Sequence, residues 1–126
     1  MSLVLDAGAL IAYERRSQQV TLLLERALRN KVGVVTTTGV VAQVWHSGAR
    51  QARLALLLGG VAEVELSSAQ ARRVGVLLSA AGRSDVVDAS VVDAARDGDE
   101  ILTSDADDIV ELARSCGKNL LVTPVS

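Results

Sequence analysis

The stretch GDEILTSDADDI, residues 98–109, ends a short apolar run, Ile101-Leu102, in a hydroxyl pair, Thr103-Ser104, and three aspartates, Asp105, Asp107 and Asp108. Charge at such density, where a strand stops and a helix starts, has two uses. Aspartates cap helix starts and favour turns. Clustered carboxylates also hold a hard divalent cation. Two further acids belong to the same question. Asp6 closes the run Leu3-Val4-Leu5, and a carboxylate among apolar residues is costly unless paired, capping or metal-bound. Asp88 lies one turn into a helical segment that opens after Ser84, with Asp85 three residues earlier on nearly the same face. Taken singly, each acid also reads as ordinary helix chemistry: a cap at Asp6, Asp105, Asp107 or Asp108, and a favourable helix dipole at Asp88. Asp93, at about 100° per residue, points away from Asp88 and reads as surface. Carboxylates that converge repel one another unless a cation neutralises them. An all-oxygen set, with His46 the lone histidine, points to Mg2+ or Mn2+ rather than zinc.

Convergence requires a fold that brings residues 6, 88 and 105 together. Apolar runs with β-formers predict strands over Ser2–Asp6, Val32–Thr36, Val61–Leu66, Glu100–Thr103 and Asn119–Thr123. Helical spacing and cap residues predict helices over Ala9–Arg16, Gln18–Asn30, Thr37–His46, Arg50–Leu58, Ser67–Ala81, Asp85–Arg96 and Asp107–Ser115, with Gly82 and Gly117 as stops. Strands alternating with helices predict an α/β fold: a three-layer sandwich with a central, mostly parallel sheet of about five strands and helices on both faces. In such sheets ligands bind beyond the carboxyl ends of the strands, where the strand order reverses. Asp6 and Asp105 both follow strand ends and would project from one edge.

The 126 residues predict a single domain. Aromatics make up 2% of the chain with no Phe, so Val, Leu, Ile and Ala must build the core, and base stacking cannot dominate nucleic-acid binding. A single cysteine, Cys116, permits no internal disulfide, which fits a cytoplasmic protein. The start MSLVLDAGAL lacks a basic leader region, and no apolar stretch approaches the roughly 20 residues that span a bilayer. The net charge of −2 conceals an asymmetry: residues 1–84 carry ten bases and five acids, while residues 85–126 carry three bases and ten acids. Solvated helix faces explain such a split, and so does a basic surface beside an acidic pocket.

The runs VLDAGALIA at the start, DASVVDAA late and ILTSDADDI near the end resemble, in order and spacing over essentially the whole chain, the PIN domain, and within it the toxin half of VapBC-type toxin–antitoxin pairs. The resemblance implies a ribonuclease that holds Mg2+ or Mn2+ with three or four acids and hydrolyses RNA phosphodiesters with metal-activated water. By position it makes Asp6, Asp88 and Asp105 the metal ligands and adds Asp108 as an accessory catalytic acid. Thr103 and Ser104 match the hydroxyl pair beside the metal. One residue departs from the pattern. The family usually places a Glu in the middle helix, and TTGVVAQVW puts Gln43 there. Gln offers a carbonyl oxygen but no charge, so the site binds metal more weakly unless Asp85 or Asp108 compensates. The resemblance further implies a homodimer and a cognate antitoxin protein, with Leu10, Ile11, Tyr13, Leu22 and Leu23 as one possible apolar groove for it. Arg15, Arg16, Arg50, Arg53 and Arg83 are candidates for RNA contact, or ordinary surface arginines.

Two other readings compete. With Gln43 in place, the domain could bind RNA or an antitoxin without cutting. A receiver-like domain also sets acids at strand ends around Mg2+, but its expected lysine could only be Lys118, placed before the last strand, and helices here come in pairs between strands. No phosphate-binding G-x-x-x-x-G-K-[ST] loop exists in the chain.

Overall fold

Four short runs rich in Val, Leu and Ile, ended by Asp, Thr or Pro, and a weaker run at Ala62–Val64 form five strands in the computed structural model, which describes residues 1–126. They are β1 (Ser2–Leu5), β2 (Gly33–Thr37), β3 (Ala62–Val64), β4 (Glu100–Thr103) and β5 (Leu121–Pro124). The sheet order is β3-β2-β1-β4-β5 and every pairing is parallel. The expected sheet was mostly parallel; the observed one is wholly so. Seven α-helices connect the strands: α1 (Ala7–Glu14), α2 (Gln18–Arg29), α3 (Thr38–Val44), α4 (Ala52–Leu58), α5 (Ser68–Ala81), α6 (Val86–Ala94) and α7 (Ala106–Cys116), with a 3-10 turn at Gly48–Arg50.

The expected elements are all present, with shifted ends. The strand expected over Val61–Leu66 shrinks to Ala62–Val64 because it is an edge strand paired with β2 alone and largely exposed. The helix expected from Ala9 starts two residues earlier, at Ala7, because the Asp6 side chain accepts the Ala9 N–H and so caps it. Gly82 and Gly117 close α5 and α7 in the left-handed conformation, which glycine enters without the steric penalty of a Cβ.

The topology decides where a site can form. From β1 the chain steps through β2 to β3 on one side, then returns to β4 and β5 on the other. Right-handed crossovers in opposite directions lay their helices on opposite faces of the sheet. Accordingly α1 packs with α2, α3 and α4, while α5, α6 and α7 pack together. The order reverses between β1 and β4, whose Val4, Leu5, Ile101 and Leu102 are fully buried. Hydroxyl bonds lock the carboxyl edge of the sheet. Thr36 Oγ1 donates to Leu5 O at 2.7 Å, and the Thr37 and Ser90 hydroxyls meet at 3.0 Å, tying α6 to β2. Lys118 Nζ donates to Val92, Asp93 and Ala95 carbonyls at the end of α6, a cation at a helix C-terminus. No helix is long and apolar enough to cross a membrane.

Candidate functional site

Asp6 follows β1 directly and is buried, 4% exposed. Its Oδ1 accepts the Ala9 N–H at 2.9 Å, capping α1, and its Oδ2 accepts the Ser104 N–H at 3.3 Å. Burial pushes its carboxyl above the ordinary value, while the Thr103 hydroxyl and the Ala9 and Ser104 N–H groups oppose the rise. Gly8 makes this contact possible: a Cβ there would fall on the Ser104 side chain.

Asp105 occupies the equivalent place after β4 and behaves differently. It stands at the N-cap of α7, yet its side chain makes no capping bond. Its own N–H donates to Thr103 Oγ1 at 2.8 Å. The carboxylate is therefore free. Asp88, in the first turn of α6, is 8% exposed, and its Oδ2 is buried with no hydrogen-bond partner. Burial first, then the charges of Asp85, Asp105, Asp6 and Asp108, push its carboxyl up to about 7. An unpartnered buried carboxylate oxygen is unfavourable unless something absent from the chain itself meets it.

One carboxylate oxygen from each of Asp88, Asp105 and Asp108 lies within 4.8 Å of the other two. These three acids form the tight group, with Asp108 where Asp6 was expected. Asp6 stands beside them, near enough for its charge to raise Asp88. A cavity of about 340 Å³ opens here, lined by Gly82, Arg83, Ser84, Asp85, Asp88, Asp108 and Leu112. Three carboxylates, no sulfur or imidazole donor and one orphaned buried oxygen fit a hard divalent cation.

The remaining candidates separate by location. Asp85 caps α6 by accepting the Asp88 N–H at 3.0 Å. Asp107 is exposed on the first turn of α7. Thr103 is buried and Ser104 exposed, both at the Asp6 carboxylate or the Asp105 N–H as described. Gln43 is exposed on α3 and does not line the cavity. It lies one turn beyond Gly39, which faces Val87 and Ser90 of α6. Arg15, Arg16 and Arg50 are exposed. Arg53 is committed internally: Nε donates to Tyr13 O at 2.9 Å and the guanidinium sits 4.0 Å over the Tyr13 ring. Asp93 turns away from the acid group and pairs with Arg73 at 3.0 Å, but its side chain is only 12% exposed, so it is not the surface residue its helical phase suggested. Sequence reasoning missed the Thr37–Ser90 tie and the pairing of Arg83 with Asp108; the run of three threonines at 36–38 was the visible signal of the first.

No known family profile and no curated protein matches the sequence. The solved structures do provide a likeness. A chain of VapBC2 from Rickettsia felis, in a complex bound to a DNA fragment from their promoter, superposes with a TM-score of 0.72. The match covers 100% of both chains at 13% identity. This is the PIN-like fold. At that identity the likeness speaks for architecture alone. In this PIN-like fold the acids described above sit at the reversal of strand order, the position where open parallel sheets hold their ligands.

Proposed function

We propose that the chain is a divalent-metal-dependent endoribonuclease and the toxin member of a toxin–antitoxin pair, a single PIN-like domain acting on RNA as a homodimer. The observation that carries this reading is the orphaned Asp88 oxygen inside a three-carboxylate group. The shared fold with a VapBC2 chain supports the toxin assignment.

In this reading Asp88, Asp105 and Asp108 hold Mg2+ or Mn2+, and Asp6 joins them directly or through a water. The ion, when bound, supplies an activated water and neutralises charge on the phosphoryl oxygens. Thr103 and Ser104 hold Asp6 in place by hydrogen bonds. Asp85 orients the first turn of α6 and adds negative potential. Gln43 stands where the resemblance expects a charged ligand, but it is exposed and off the cavity lining, so the acids alone hold the ion in this reading. Exposed Arg15, Arg16 and Arg50 draw the RNA backbone to the protein. Of the groove expected from the sequence, Leu10 is buried in the core and Tyr13 and Leu23 are half-buried, so exposed Ile11 and Leu22, with Leu28 and Leu56, supply the apolar surface for an antitoxin helix.

The test is cleavage of a structured RNA pool by antitoxin-free protein with Mg2+, Mn2+ or EDTA, beside Asp6→Ala and Asp88→Asn. Metal-dependent cutting lost in both variants supports the nuclease. Gln43 favours one second reading, a domain that binds RNA or antitoxin without cutting. Metal binding by folded protein with no cleavage in either ion would select it.

A further inference from the structure

Arg83 is the one base lining the acid cavity, and it is already paired. Its Nη1 donates to Asp108 Oδ1 at 2.6 Å. The backbone fixes the origin of this side chain: Gly82 closes α5 at φ 64°, and the Arg83 N–H donates to Leu78 O. From there the guanidinium reaches the first turn of α7. Both partners are half-exposed, 39% and 42%, so water competes for the pair and it exchanges readily. Arg83 makes no hydrogen bond to Asp88, whose Oδ2 stays unpartnered. Asp108 is thus shared between two possible cations, the chain's own guanidinium and an ion held with Asp88 and Asp105.

We propose that Arg83 is an exchangeable counter-ion of this cavity: it holds Asp108 while no metal is bound, yields Asp108 to the divalent cation, and then presents its guanidinium to a phosphate of the bound RNA strand. The inference rests on the metal reading above. The chemistry suits the exchange, because the guanidinium is always charged and its planar fork matches phosphate oxygens as well as carboxylate. Removing Arg83 therefore has two opposite effects. The cation binds better for want of a competitor, and the strand binds worse for want of a donor. A residue that merely supported the fold would not separate the two.

The experiment is a calorimetric titration of metal-stripped protein with Mn2+, for wild type, Arg83→Gln and Arg83→Lys. A parallel anisotropy titration uses a cleavage-resistant phosphorothioate RNA strand, with Mn2+ or with EDTA. Arg83→Gln is expected to bind Mn2+ about 1.5- to fivefold more tightly, the range an exposed competing ion pair sets. With Mn2+ present it is expected to bind the strand about tenfold more weakly, the loss of one charge-assisted phosphate contact. In EDTA, where Asp108 holds the guanidinium, strand binding is expected to be alike in both proteins. Arg83→Lys falls between them. Wild type that binds Mn2+ no less tightly than Arg83→Gln overturns this inference and leaves the metal reading standing. Wild type that binds no Mn2+ overturns the metal reading and this inference with it. Tighter Mn2+ with unchanged strand binding overturns the phosphate role.

Discussion

The starts of α1 and α7 are built alike and used differently. Each follows a buried central strand, β1 or β4, and each opens on an aspartate at the carboxyl edge of the sheet. Asp6 has extended backbone, φ −88° and ψ −176°, and its side chain reaches the Ala9 N–H. Asp105 is turned to φ −122° and ψ 50°, and its side chain reaches no N–H of its own helix. The extended N-cap conformation aims a side chain over the first turn; Asp105 lacks it, and its own N–H donates to Thr103 Oγ1. A carboxylate that caps its helix is engaged. One that does not is available, and Asp105 turns to Asp88 and Asp108 instead.

The comparison predicts its largest effect in metal affinity. Asp105→Ala should weaken Mn2+ binding at least about a hundredfold and Asp6→Ala about tenfold, the level of an outer contact; calorimetry reads both, and equal losses would break the distinction. The pH dependence of stability comes next. The Asp88 carboxyl ionises in the folded protein only near 7 and in the unfolded chain near its ordinary value of 3.8. The folded state therefore holds its proton longer, and stability falls as pH rises from about 4 to 7. Urea unfolding in EDTA should show wild type losing roughly 2 kcal/mol more than Asp88→Asn between pH 5 and 8. Saturating Mn2+ should cancel that loss, since the cation favours the ionised form. A third effect strikes the contact between the two starts. Gly8→Ala drives a methyl into Ser104, the residue next to Asp105, and should destabilise by about 1–3 kcal/mol, as overpacking does, with both helix starts displaced. The smallest effect is in the caps themselves. Asp6→Ala should cost about 1 kcal/mol of stability, whereas Asp105→Ala should stay within about 0.5 kcal/mol. Thermal unfolding of the two variants in EDTA checks this, and a cap-sized loss at Asp105 would contradict the free carboxylate.

Local patterns made much of this architecture legible. Period and cap residues placed five strands and seven helices, since each signal depends on neighbours a few residues apart. They also put Asp6 and Asp105 at strand ends, and the parallel alternation brought both to one edge. The short β3 was less legible, because an edge strand's length depends on what its partner offers.

The chain alone thus determined an α/β sheet with acids at its carboxyl edge, through apolar spacing and turn residues that act locally. Which acids converge was a tertiary decision. Asp6 and Asp105 both read as helix caps in the sequence and Asp85 as the first residue of its helix, and Asp88 meets Asp105 and Asp108 only in the folded protein. Arg53 and Arg83 look alike as surface arginines, yet one lies over Tyr13 and the other reaches Asp108. The two arginine outcomes depend on contacts between residues 25 or more positions apart, and only the folded sheet and its helices set those distances.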